Sequence, residues 1–154
     1  MADFIKGSQQ RTLLYGNRVT RDAAALPQTA QSALFTVTGG DVLITSFVGE
    51  VTTVIQGQAT TVQIIGNPTV GTDVNWSTAV GDINGKEVGS TVALPAIFGG
   101  VLLVNTAGGN GLANVPYLAR VGTIDFKTGA SSTGAMKWYL TYVPLDDGAT
   151  VVAA

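Results

Sequence analysis

Few residues in this chain could do chemistry. Asp146 and Asp147 are adjacent carboxylates. In an extended segment neighbouring side chains point to opposite faces, so the pair is badly set to share one metal ion and reads as a solvated turn before Gly148. Asp73, Asp82 and Asp125 could offer oxygen ligands to a hard cation if the fold gathered them, but their spacing is not that of an EF-hand loop. Asp125, two residues from Lys127, reads as a surface position in a strand. Gly108 to Gly111 has the composition of a phosphate loop. It lacks the Gly-Lys-Ser/Thr ending and the following helix that give such a loop its mechanism, and reads as a turn. The sequence has no histidine and no cysteine. That removes the commonest general base, the Ser-His-Asp arrangement, any thiolate and any disulfide. No Ser-x-x-Lys occurs. The expectation is a protein that is not an enzyme and carries no cofactor or metal.

The elements that would position a site are strands. The chain has 154 residues, enough for one domain with a core. Ala33 to Thr38, Val42 to Val48, Val51 to Ile55, Ala59 to Ile65 and Ser90 to Leu94 are rich in strand formers. Turn signals lie between them at Gly39–Gly40–Asp41, Gly49–Glu50, Gln56–Gly57–Gln58, Gly66 to Gly71 and Asp82 to Gly85. Residues 72–89 read as a long loop anchored by Trp76 and Val80, with a short helix near Ser77 to Val80. Gly100 to Thr106 is an apolar run expected to be buried on both faces. Ala119 to Lys127 and Met136 to Val143 read as a closing strand pair joined by the small-residue loop Gly129 to Gly134. In the second of these, Trp138, Leu140 and Tyr142 alternate with Lys137, Tyr139 and Thr141, as a half-buried antiparallel strand requires. Trp138 and Tyr142 should be core, and Ala149 to Ala154 a final edge strand or a partner-binding tail. Twenty glycines suit many tight turns. The sum is an all-β, antiparallel sandwich or jelly-roll-like barrel of roughly eight strands.

Residues 1–32 stand apart as an N-terminal arm and connector to the β domain at 33–154. Residues 1–22 hold four cations (Lys6, Arg11, Arg18, Arg21) against Asp3 and Asp22, whereas residues 23–154 hold four against eight acids. A basic start on an acidic body suits an arm that packs on another surface. The arm is expected to be extended, with one helical turn at Ala23 to Leu26 ended by Pro27. Arg and Tyr are favoured interface residues, which makes Arg11, Tyr15, Arg18 and Arg21 the candidate partner contacts.

Charged residues make up only 12% of the chain against roughly 25% in ordinary soluble domains, and mean hydropathy is +0.33. A surface this poor in charge suits burial by neighbours. The basic stretch is too sparse for nucleic acid. The longest apolar run, Leu94 to Val104, is broken by Pro95 and Gly99–Gly100 and falls short of the ~18–20 residues of a membrane span. Met1 to Lys6 lacks the order of a signal peptide, so synthesis in a cytoplasm is expected, with use there or release in an assembly.

At the closing pair the sequence resembles a known group. Gly122-Thr-Ile-Asp-Phe126, Ser132-Thr-Gly134 and Trp138-Tyr-Leu-Thr-Tyr-Val-Pro-Leu-Asp-Asp-Gly-Ala149 are similar to the C-terminus of small virion proteins of tailed bacteriophages. Val42 to Thr53, Gly66 to Thr69 and Asp82 to Gly85 resemble the same group, so the likeness spans residues 34–149 in pattern and phrase. It implies a role like that of capsid decoration, or cement, proteins. Such proteins sit outside the shell, often as trimers, and brace neighbouring capsomers, with the major capsid protein as partner and the virion surface as location.

Two other readings remain at this point. One is a tail or other structural virion protein; the shell protein itself is disfavoured, because the chain is short for a capsid fold. The other is a carbohydrate-binding β-sandwich, in which Trp76, Tyr117 or Tyr139 would stack on sugar rings if exposed.

Overall fold

The computed structural model describes residues 6–79, 81–112 and 116–154. A helix, α1 (Gly7–Tyr15), precedes eleven strands: β1 (Asn17–Ala25), β2 (Gln31–Thr38), β3 (Val42–Gly57), β4 (Val62–Pro68), β5 (Val74–Asn75), β6 (Thr91–Ala93), β7 (Leu103–Asn105), β8 (Tyr117–Ala119), β9 (Gly122–Thr128), β10 (Ser132–Pro144) and β11 (Thr150–Ala153). One sheet runs β1-β10-β3-β6-β7, with β8 also pairing β3; the other runs β11-β2-β9-β4-β5. All pairs are antiparallel. The sheets pack face to face as an all-β sandwich. Four strands, β5 to β8, have only two or three residues, so the seven longer ones carry the architecture.

The core is built by alternation. Trp138, Leu140 and Tyr142 of β10 are buried, as their spacing predicts. Trp138 meets Phe126 of the opposite sheet with ring centres 5.0 Å apart and Phe47 of its own sheet at 5.3 Å. Phe35 closes the group edge-on to Phe47 at 5.9 Å. Tilted and edge-on contacts of this kind suit the charge distribution of aromatic rings.

Several expectations are corrected. Residues 119–127 and 136–143 do not pair with each other. β9 lies between β2 and β4, and β10 between β1 and β3. In a hairpin Phe126 and Trp138 would share one sheet face, whereas in opposite sheets they cover each other. The connecting loop is shorter than expected, since Ser132 is already buried in β10. Gly49 is not a turn but the middle of the 16-residue β3. It lies opposite Trp138, and a Cβ there would stand 2.6 Å from the indole Cζ3, so the missing side chain is the seat of the ring. Gly66 to Pro68 likewise continue β4. The run at 100–106 yields only β7, an edge strand in which no residue is fully buried. Ser77 to Ala79 form no helix, and Val80 lies outside the described residues.

The arm is also redrawn. β1 pairs with β10 from Asn17 to Ala25, and Val19, opposite Leu140, packs on the core. The sandwich therefore reaches back to Asn17 rather than starting at residue 33, and Ala23 to Ala25 are strand, not helix. Gly7 to Tyr15 are helical rather than extended. The Lys6 backbone N–H donates to Gln9 Oε1 at 2.9 Å, occupying a group that the helix start leaves free. At the other end the Gly16 N–H donates to Thr12 O at 2.9 Å.

Candidate functional site

The four candidate contacts do not converge. Arg11 and Tyr15 are exposed on α1. Leu13 and Leu14, each 76% exposed, and Tyr15, 66% exposed, form an uncovered apolar end to that helix. Residue 16 fixes where this end sits. Gly16 has φ 92°, and a Cβ on it would overlap the carbonyl of Tyr142, so only glycine lets the chain pass this close to β10. The Tyr15 carbonyl accepts a hydrogen bond from Thr45 Oγ1 at 2.9 Å. Thr45 is the extra residue of a β-bulge in β3, where Thr141 pairs with Ser46 and Tyr142 with Ile44. Bulges re-aim side chains, and this one turns a hydroxyl toward the helix end.

Arg18 and Arg21 are three residues apart in β1 and so face opposite ways. The Arg18 guanidinium lies over the Tyr139 ring, 5.0 Å from its centre, and Lys137 Nζ approaches the same ring at 5.5 Å. The Tyr139 hydroxyl donates to Glu50 Oε2 at 3.0 Å. That bond, followed by burial and the Glu50 charge, holds the phenol above its usual range, with Arg18 acting in the opposite sense. Arg21 instead points to the seam between the sheets, where its Nε donates to Ala154 O at 3.3 Å. Arg18 and Arg21 are thus tied to their own body, and Arg11 and Tyr15 stand off it.

A second feature was invisible in the sequence. A cleft of about 360 Å³ opens between the β4–β5 edge of one sheet and β8 of the other. Its walls include Val74, Trp76, Phe98 and Leu118. Trp76 and Tyr117 lie with ring centres 5.4 Å apart, and Phe98 covers Tyr117 at 5.3 Å. The cleft is in the size range of ligand pockets, but Val74, Phe98 and Leu118 are 45%, 53% and 46% exposed, so it is a broad apolar groove rather than an enclosed site. Arg120 at its margin pairs with Asp41 at 3.5 Å.

The aromatic residues named for sugar stacking are largely covered. Trp76 and Tyr117 are each 3% exposed, and the face of Tyr139 is occupied by Arg18 and Lys137. The Tyr117 hydroxyl donates to Pro95 O at 2.8 Å. Burial disfavours its phenolate and pushes its titration above the usual value near 10. The folded state therefore holds this proton more tightly than the unfolded chain. Its contribution to stability is intact below about pH 10 and is lost as pH rises through the higher folded value. Denaturant midpoints measured across the alkaline range should fall, and Tyr117→Phe should flatten that fall while lowering the plateau by about 1 kcal/mol for the lost hydrogen bond.

The carboxylates are dispersed. Asp82 Oδ1 accepts from the backbone of Thr60 and Asn84, both at 2.9 Å, which makes it a turn brace. Asp146 Oδ2 accepts from the Asp41 N–H at 2.7 Å. Among the described residues no group of three or more His, Cys, Asp or Glu could hold a metal ion. Asp125 corrects the surface expectation. It points away from the core yet is only 4% exposed, because Gln31 and Asn67 on the flanking strands donate to its Oδ2 at 2.7 and 3.1 Å. Its Oδ1 is buried without a partner. Asp125→Ala would remove the acceptor shared by exposed Gln31 and half-buried Asn67 and should cost about 1 kcal/mol, because water can replace part of what is lost. Asp125→Asn keeps an acceptor for them and should cost less, as thermal unfolding of the two variants would register.

No protein-family model, curated protein or solved structure matches this chain.

Proposed function

We propose that this is a structural virion protein, a decoration or cement protein that binds the outer surface of a tailed-bacteriophage head as a homo-oligomer, a trimer in the simplest case. Its partner is the major capsid protein, and its work is to brace neighbouring capsomers without catalysis. The observation that carries this reading is α1. A helix with a basic residue and three exposed apolar side chains projects from a closed sandwich that has few charges. Such an element gains from covering by another surface, at about 25 cal/mol per Å² of apolar area. Repetition around a shell multiplies modest affinities. The phrases shared with phage virion proteins supply the identity of that surface.

The test is attachment. Purified full-length protein and a version lacking residues 1–16 are mixed with undecorated heads and sedimented. The truncation ends before β1, so the sandwich stays whole, which circular dichroism checks. The full chain is expected to sediment with heads and the truncated chain to remain in the supernatant. Equal binding by both would defeat the helix as the contact, and labelled protein on tails in electron micrographs would move the reading to a tail component.

A further inference from the structure

We infer that the cleft between the β4–β5 edge and β8 is a binding site for a small amphipathic acid, an apolar chain or ring that ends in a carboxylate. This is independent of the decoration role, since no described residue of α1 lines the cleft.

Two polar groups mark the site. Trp76 is 3% exposed, yet its indole N–H has no acceptor among the described residues. Buried tryptophans usually pair this group. The polar atoms sealed from solvent without a partner are Ser90 Oγ, Thr91 Oγ1 and Asp125 Oδ1 among the described residues. The indole N–H is not one of them, so it keeps an opening, and its ring forms part of the cleft floor. An indole N–H can only donate, so what it lacks is an acceptor. The second group is Arg120. No Asp or Glu joins it in the lining among the described residues. Asp41, which does not line the cleft, meets it through Nη1 at 3.5 Å. A guanidinium has five N–H donors in a planar fork, so donors remain for a ligand. An unpaired donor and a cation, with no acid between them, suit a carboxylate and repel a cationic ligand.

The remaining surface suits the apolar body. Val74, Phe98 and Leu118 are open apolar walls, and about 360 Å³ lies near the lower end of ligand pockets. A sugar would set hydroxyls against these walls with nothing to pair them. The floor is also held ready. The Trp76 and Ser77 N–H groups donate to Ile64 O at 2.9 and 3.3 Å, and Ser77 Oγ accepts from the Ile64 N–H at 2.9 Å. The Gly99 N–H donates to Trp76 O at 3.0 Å, which ties the turn carrying Phe98 to the floor. Gly66 makes room for the indole, because a Cβ there would stand 2.5 Å from Trp76 Nε1. Groups fixed before the ligand arrives lose little affinity to ordering.

Octanoate, octanol and octylammonium share one chain and differ in charge. Each is titrated into the full-length protein by calorimetry and followed by NMR. Octanoate should bind about tenfold tighter than octanol, as a charge-assisted hydrogen bond allows, and octylammonium weakest. The Trp76 indole N–H resonance, assigned through Trp76→Phe, should move with octanoate while that of Trp138 stays in place. Arg120→Gln should bring octanoate down to the octanol level with the unfolding midpoint kept, since the exposed pair it breaks is worth little. Val74→Asp, a surface change, should reverse the preference toward octylammonium. Equal affinity for the three probes would overturn the inference, as would no binding, or octanoate binding that Arg120→Gln and Val74→Asp leave intact. A second copy covering the cleft would make octanoate affinity fall as protein concentration rises, and that result would overturn it too. The version lacking residues 1–16 should bind octanoate like the full chain, so loss of head attachment and loss of this site are read separately.

Discussion

Trp138→Ala should lose about 3–5 kcal/mol of stability, the range seen when a buried aromatic is truncated to alanine. The indole is 2% exposed and packs across the two sheets, against Phe126 of the opposite sheet and Phe47 of its own. Its removal opens a hole that Gly49 cannot fill, because Gly49 has no side chain to move into it. Relaxation would have to come from β3 and β10 themselves, and their long ladder resists it. Urea unfolding followed by circular dichroism gives the measurement. A loss below about 1 kcal/mol would mean that the core collapses easily around the site and that Trp138 does not anchor the sandwich. Trp138→Phe should recover part of the loss, since it keeps a ring over Gly49.

Gly122→Val should be nearly as severe for a different reason. Gly122 has φ 148°, a region that side-chain-bearing residues occupy at a cost of about 1–3 kcal/mol. A Cβ there would also overlap the Asn67 carbonyl and stand 2.6 Å from Pro68 Cα and 2.8 Å from Thr69 N. These are backbone atoms, so no rotamer change relieves the contact. Overpacking of this kind adds about 1–3 kcal/mol. The position is where β9 begins and pairs with both Val37 and Pro68, so strain there splits β9 from its neighbours at one end. Thermal unfolding should show a drop of several degrees for Gly122→Ala and a larger one for Gly122→Val. A valine variant as stable as the parent would show that the β4–β9 end is loose.

Much of the fold was legible because a strand writes its buried face into alternate residues. Trp138, Leu140 and Tyr142 announced theirs, and Gly39–Gly40 and Asp146 to Gly148 marked real turns. The same period says which face is buried but not which strand lies beside it. That is why residues 119–127 and 136–143, close in sequence and both aromatic, read as a pair although they lie in different sheets. Gly49 was misread because a glycine in a strand looks like a break unless the ring that covers it is known. For Asp125 the period gave the outward direction correctly. It could not show Gln31 and Asn67 closing over the carboxylate from strands far away in the chain. Of the candidate contacts, Arg11 and Tyr15 were legible as types and are exposed as an interface needs. Arg18 and Arg21 separate once residues 17–25 are known to be a strand, since an odd spacing sends them to opposite faces. The cleft brings together Val74, Phe98 and Leu118, whose sequence distances gave no hint of proximity.

The strand order also bears on how the protein is made. Among the described residues β1 pairs only with β10, and β2 lies between β9 and β11. More than 80 residues separate the end of either strand from its first partner. At a synthesis rate of about 5–20 residues per second, the first two strands wait several seconds on the ribosome with unpaired edges. The sandwich closes only after the C-terminal strands emerge. A chain cut short before β9 would keep those edges open, ready to pair with a neighbouring nascent copy rather than with itself.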